Sequence, residues 1–296
     1  MTGDRTGSVR LSCGDHSFPV LPHEQTVDLV KMLGFEAFDL AVMGNRSHVR
    51  PEEIREDIPG WAGRLEERIR GRGLEIADVF CIPWTDFATM APNNPDDAER
   101  ERGTAMFRDM LELTVRLGAP GLTMVPGIDF PGESHDVSLA RAADELGRRA
   151  VTAREAGVRF SVEPHVGSVC GTPADVGRLV ELAPELELTL DYTHYVSQGF
   201  AEAELEPLLP HARHFHARGG SVGRVQCALK DSTIDYGRAV EALLASGYDG
   251  ALAVEYVWID WERCNECDNV SETIILRDRL RAALAGESWA YPASST

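Results

Sequence analysis

The sequence predicts an α/β protein folded as a single-domain (β/α)8 TIM barrel, and three observations carry that expectation. Apolar runs of strand length alternate with helical patterns, giving eight strand–helix units in 296 residues. A barrel of this type takes about 250 residues as one unit. No Gly-x-Gly-x-x-Gly follows the first strand, which removes the usual functional support for the competing doubly wound sheet. No linker or break in composition divides the chain, so one domain is expected over residues 1–296, with its barrel core at about 8–285.

Each element has a local reason. The first strand is expected at SVRLSC (8–13), followed by HEQTVDLVKMLG, where Leu29, Met32 and Leu33 fall at i, i+3 and i+4 on one helical face. AFDLAV (37–42) and LEIADVF (74–80) are apolar runs of strand length. The helical pattern RGTAMFRDMLELTVRLG leads to the strand GLTMV (121–125), and LARAADELGRRAVTAREAG leads to VRFSVE (158–163). LELTLD (186–191) and ARHFHA (212–217) are the sixth and seventh strands. DYGRAVEALLASG precedes the eighth, ALAVEY (251–256), and SETIILRDRLRAALAG closes the barrel. Gly34, Gly118, Gly157 and Gly247 stand where helix C-caps favour glycine.

The formal net charge is −19, and hydrophobic residues make up 43%, enough for a full core. Such a charge repels phosphate backbones and anionic membrane surfaces, so neither nucleic acid nor membrane is expected as a partner. Most of the acid excess reads as solvated helix faces, as in DDAERERG. MTGDRTGSVRLSC lacks the apolar stretch of a signal peptide, and no run approaches the roughly 20 apolar residues of a membrane span. Cysteines at 13, 81, 170, 227, 264 and 267 are scattered, so a cytoplasmic chain with free thiols is expected. Cys264 and Cys267 form one C-x-x-C without a second pair, a poor zinc site read as structural or incidental.

The strand ends carry the chemistry. Catalytic groups in a barrel come from the C-terminal ends of strands, with side chains alternating between interior and helix layer. With Phe160 and Val162 outward, Ser161 and Glu163 point inward. Leu188 and Leu190 outward send Thr189 and Asp191 inward. His214 and His216 share a face with Arg218. Leu252 and Val254 outward leave Ala251, Ala253 and Glu255 inward. Four successive strands thus deliver Glu163, Asp191, His216 and Glu255 to one end of the barrel. Any one of them alone would read as a loop acid or a satisfied core histidine. Four in register would be costly unless neutralised, and a divalent cation neutralises them directly. Three carboxylates and one imidazole suit Mn2+ or Mg2+, with Co2+ and Zn2+ also possible.

VEPH, LDYTHY, HFHAR, the tract TIDYGRAVEALLASGYDGALAVEY and the opening CGDHSFPVLPHEQ together resemble the xylose-isomerase-like TIM barrels that include sugar isomerases and epimerases. The resemblance implies one divalent metal per chain, Mn2+ favoured, on Glu163, Asp191, His216 and Glu255. It also implies that His194, three residues after the aspartate, lies at the substrate. In ketose 3-epimerases of this kind a substrate-binding arginine follows the seventh-strand histidine by several residues. That offset falls here on Val222, with Arg218 and Arg224 on either side, which leaves the substrate class open.

The expected activity is isomerisation or epimerisation of an unphosphorylated sugar or keto-polyol. A metal-stabilised enediolate forms when the proton next to the carbonyl leaves. Glu163 and Glu255 are the expected acid/base pair, doubling as metal ligands by resemblance. His165 and His194 are expected to bind sugar hydroxyls and Arg218 to orient an oxygen. His16 and His48, after the first two strands, are candidate substrate contacts or local capping groups. Trp84 and Phe18 could stack on a sugar ring, with aromatic packing the alternative. Trp258 and Trp261 could form a lid or a subunit contact, so a homo-oligomer is open; His135 has no assignment. The alternatives are a metal-dependent lyase or dehydratase on a keto-sugar or keto-glycoside, an endonuclease-IV-like DNA repair enzyme, and a non-catalytic binding barrel. Given the net charge, no band shift or nicking of duplex DNA is expected at physiological salt. Salt-sensitive binding with cleavage would favour the endonuclease.

Overall fold

The computed structural model describes residues 9–44 and 47–292. Ser8, at the start of the first expected strand, and Asn45 and Arg46 of the NRSHVRP stretch lie outside the described residues. Eight parallel strands close into a barrel in the order β1 to β8. They are β1 (Arg10–Gly14), β2 (Ala37–Met43), β3 (Glu75–Ile82) and β4 (Gly121–Met124). β5 (Arg159–Val162), β6 (Glu187–Asp191), β7 (Ala212–Ala217) and β8 (Ala251–Val254) complete it, and β8 pairs with β1. All eight expected strands are present, with bounds within two residues of those read from the apolar runs.

The first four strands are followed by α1 (His23–Met32), α2 (Pro51–Glu56) with α3 (Ile58–Arg70), α4 (Asp97–Leu117) and α5 (His135–Glu155). The second half contributes α6 (Pro173–Leu182), the single-turn α7 (Thr193–Val196) and α8 (Glu202–Leu205), α9 (Tyr236–Ala245) and α10 (Asn269–Leu284). Local chemistry sets the ends. Thr172 and Asp175 form a reciprocal capping box at α6, and Gly118 ends α4 in the left-handed region at φ 59°. Among the described residues no helix is long and apolar enough to cross a membrane.

The main apolar core lies between strands and helices. Leu40, Val79, Leu122, Phe160, Val162, Leu188, Leu190, Phe215, Leu252 and Val254 all belong to it. The barrel interior is different. Ala37, Ala77 and Ala251 pack together at the N-terminal end. Above them Arg213 donates to Asp78 (2.8 Å), Thr123 (2.8 Å) and Ser161 (2.8 Å), and the hydroxyls of Thr123, Ser161 and Thr189 bond one another. The next tier pairs His214 Nε2 with Asp39 Oδ2 at 2.6 Å. A side chain at Gly121 would overlap the Arg213 guanidinium, so β4 starts with the one residue that leaves it room.

A strict two-residue period would send Arg213 out to the helices. The pairing shows why it turns inward: Leu188 pairs with Ala212, whereas Thr189 pairs with His214, so Arg213 is an extra residue on β7. That bulge lets Arg213 and His214 both face the interior, and it brings His216 level with Asp191. A second shift between β2 and β3 sets Asp78 beside Asp39, with Ala77 as the extra residue.

Asp78 and Arg213 are both fully buried, so breaking their pair strands a charge. Arg213→Met should lower unfolding free energy by about 3–5 kcal/mol, and Asp78→Asn added to it should recover part of that loss. Urea denaturation of the three proteins measures this; a drop below about 1 kcal/mol in the single variant would contradict it.

Candidate active site and metal centre

The C-terminal ends of β5 to β8 bring Glu163, Asp191, His216 and Glu255 into one buried cluster. His216 Nδ1 lies 2.6 Å from Glu163 Oε1 and 3.3 Å from Glu255 Oε2. His216 Nε2 turns down toward Asp39 Oδ2 at 3.9 Å. Among the described residues potential donor atoms fall into three triads, each within 4.8 Å: Glu163, His216 and Glu255; Glu163, Asp191 and His194; and, one tier down, Asp39, His214 and His216. Glu163 is common to the first two. Glu255 Oε2 is buried with no hydrogen-bond partner, an arrangement a cation would satisfy. The hard, mostly oxygen donor set fits a divalent ion, and His216 has its second nitrogen turned to a carboxylate as metal-binding histidines usually do.

Asp191 is held differently. Its Oδ1 accepts from the Thr193 backbone (2.8 Å) and hydroxyl (2.7 Å) at the start of α7, an arrangement the DYTH sequence makes locally. Its Oδ2 lies 2.8 Å from Arg218 Nη2 as an ion pair off the hydrogen-bonding direction. Arg218 Nη2 also donates to His194 Nε2 at 3.3 Å, which places the ring proton on His194 Nδ1, a buried atom with no partner. Burial pushes the His194 pKa down to about 3, so its ring is neutral. His165 Nδ1 donates to the Val166 carbonyl at 2.7 Å.

The two glutamates sit in opposed electrostatic settings. Burial raises the Glu163 pKa, aided by Glu255 and Asp191 and resisted by His216. Burial would raise Glu255 too, but His216, His16 and Arg218 hold it well below the usual carboxylate range. The Glu255 and Glu163 carboxylates together raise the His216 imidazole well above its ordinary value despite burial.

A pocket of about 530 Å³, including its mouth, opens on this cluster. One side is polar: His16, Glu163, His165, His194, Arg218 and Glu255. The facing wall, from β2 to β4, is apolar: Met43, Phe80, Ile82, Phe87 and Val125. Val257, Ile259 and Trp261 after β8 line the rest. Glu262 and Arg263, next to Trp261, take left-handed conformations at φ 51° and 60°, which cost non-glycine residues of order 1–3 kcal/mol each.

The structure therefore gathers Glu163, Asp191, His216, Glu255, His165, His194, Arg218 and His16, but His16 contacts Glu255 Oε1 at 2.7 Å. His48 and Trp84 are not among the pocket-lining residues. His48 stacks on His23, ring centroids 5.1 Å apart, and Trp84 packs against the main apolar core, as does Phe18. Trp258 is exposed, and His135 bridges Asp129 and Asp175 on the surface. Val222 is exposed and Arg224 pairs with Glu266, which leaves Arg218 as the pocket's guanidinium among the described residues. Cys264 and Cys267 are free thiols and join no group of metal donors among the described residues. Sequence reasoning missed the apolar wall and the interior acids Asp39 and Asp78. The two-residue period applied to β2 and β3 was the available signal, since Asp39, Asp78 and Phe80 are the inward positions there.

Comparison with curated protein sequences gives no match. Among solved structures, D-psicose 3-epimerase from Clostridium cellulolyticum, determined with D-tagatose, superposes with a TM-score of 0.72 at 17% identity, covering 93% of this chain and 99% of that one. An L-ribulose 3-epimerase gives 0.72 at 20% identity, covering 94% and 95%. The IolI protein with a bound zinc atom gives 0.71 at 13% identity, covering 95% and 100%. At these identities the likeness shows a shared fold. The sequence profile of the xylose isomerase-like TIM barrels matches residues 27–277, most of the barrel including all four strand-end ligand candidates, and the chain belongs to that family.

Proposed function

We propose that the chain is a divalent-metal-dependent isomerase or epimerase acting on a sugar or keto-polyol. The observation that carries this reading is the convergence of Glu163 and Glu255 on one nitrogen of His216, at 2.6 and 3.3 Å, beside a pocket that both glutamates line. Glu163, Asp191, His216 and Glu255 would hold the ion, Mn2+ being favoured for so oxygen-rich a donor set. When bound, a divalent ion polarises the substrate carbonyl and stabilises charge on the enediolate oxygens.

The chain's own groups supply the proton transfers. One glutamate takes the proton from the carbon next to the carbonyl. The other returns it, to the opposite face for epimerisation or to the neighbouring carbon for isomerisation. His194 Nδ1–H donates to a substrate oxygen, and His165 Nε2 accepts from a hydroxyl. Arg218, fixed by Asp191, orients an oxygen that gains charge as the enediolate forms. The apolar wall offers the substrate's carbon face a surface to pack against. Two epimerases that share this fold are named for D-psicose and L-ribulose and a third for a 3-keto-D-glucoside, which supports a sugar or keto-sugar substrate class.

Protein purified without chelator should carry about one divalent ion per chain by elemental analysis. Asp191→Ala and His216→Ala should each lose it while circular dichroism stays that of the folded barrel. Wild-type protein that binds no metal under any loading condition would sink the reading.

In D₂O the wild type should place deuterium on the carbon beside the carbonyl. Glu163→Gln and Glu255→Gln should each cut turnover by roughly 10²–10⁴-fold. The variant that keeps the abstracting glutamate should still exchange the substrate proton with solvent, which NMR detects and which assigns the two roles. Exchange accompanied by release of water or a fragment, with no isomer, would instead mark a lyase or dehydratase.

A further inference from the structure

Glu255 is held by a line of buried groups that none of the proton transfers above requires. Its Oε1 meets His16 Nε2 at 2.7 Å, while Oε2 is the oxygen facing His216. The other ring nitrogen of His16 faces a second carboxylate, Asp15 Oδ1, at 3.7 Å. Asp15 has no solvent exposure, and its Oδ2 lies 3.3 Å from His23 Nε2. Arg68 donates to His23 Nδ1 at 2.8 Å, which leaves Nε2, the nitrogen turned to Asp15, to carry a proton. Gly14 completes the arrangement, because a Cβ there would stand 2.6 Å from His16 Cε1.

Asp15 also accepts from the Ala41 backbone N–H at 3.0 Å, extending the β1–β2 ladder past its last paired residue. That service needs only one neutral acceptor oxygen. A full carboxylate buried away from the surface is costly, and its position between His16 and His23 offsets that cost. We infer that Asp15 is a positioning residue. Acting through His16, it fixes the Glu255 carboxylate so that Oε1 is occupied and Oε2 is presented at the pocket. The inference rests on the reading of Glu255 as acid/base group and metal ligand. It adds a second carboxylate–imidazole support beside the Asp39 carboxylate under His216.

Asp15→Asn is the informative variant, since its amide oxygen can still accept from Ala41 N–H while the carboxylate is gone. Expected results are an unchanged circular dichroism spectrum, Mn2+ affinity by calorimetry reduced about 10-fold or more, and a fall in kcat with KM little altered. Asp15→Asn placed on His16→Gln should add nothing to His16→Gln alone, because the two act in series. A crystal structure of Asp15→Asn should show the His16 ring turned away from Glu255 Oε1. Additive effects in the double variant, or a His16–Glu255 hydrogen bond that persists in Asp15→Asn, would overturn the inference. A turned His16 ring in a protein whose wild type binds no metal and converts no sugar would uphold the positioning role and refute only the isomerase reading.

Discussion

One extra residue on β7 sets the height of everything above it in the barrel. In a parallel pair, partnered residues face the same side, so an unbulged β6–β7 ladder continuing from Leu188 and Ala212 would set Asp191 against Phe215. The bulge at Arg213 moves His216 into that place, and the guanidinium it turns inward is anchored by Asp78, Thr123 and Ser161. Bulges are costly to the ladder and recur beside active sites because they re-aim a side chain. Here the re-aimed residue is the imidazole on which both glutamates converge.

The interior above the alanine floor is a stack of acid–base pairs. Asp78 meets Arg213, Asp39 meets His214, Glu163 meets His216, Glu255 meets His16, and Asp191 meets Arg218. Buried pairs of this kind add little net stability compared with well-packed apolar groups. The stability of the fold comes instead from the layer between strands and helices, where the large apolar side chains gather. The two shells thus divide the work: the outer one holds the barrel closed, and the inner one locates charge. The chain's net charge of −19 says little about the interior, where each of these acids faces a base.

The eight strands and the acids and histidine at the ends of the last four were legible because apolar runs have a length and strands have a period of two. Asp191 and Glu255 follow outward-facing leucine and valine so regularly that their side of the sheet was decided locally. The bulge at Arg213 was not legible: nothing in ARHFHA distinguishes a bulged strand from a regular one, since the shift is set by partners distant in sequence. His16 could be placed at the right end of the barrel but not given its partner, Glu255, 239 residues away. Trp84 reads from sequence as a candidate to stack on a sugar ring, whereas the inward face of β3 and the loop after it bring Phe80 and Phe87 to the pocket instead.

A barrel interior filled with valine and leucine can drift by single substitutions, because one aliphatic residue replaces another of similar volume. The tier of Asp39, His214, Asp78 and Arg213 has no such freedom. Changing either member of a pair strands its partner's charge in the buried interior, so the viable route between sequences passes through paired replacement. Gly121 extends the obligation to a third position, since any larger residue there meets the guanidinium. Across homologous chains these positions would register as covariation rather than as independent tolerance, a lineage constraint lodged well below the pocket that turnover alone would never reveal.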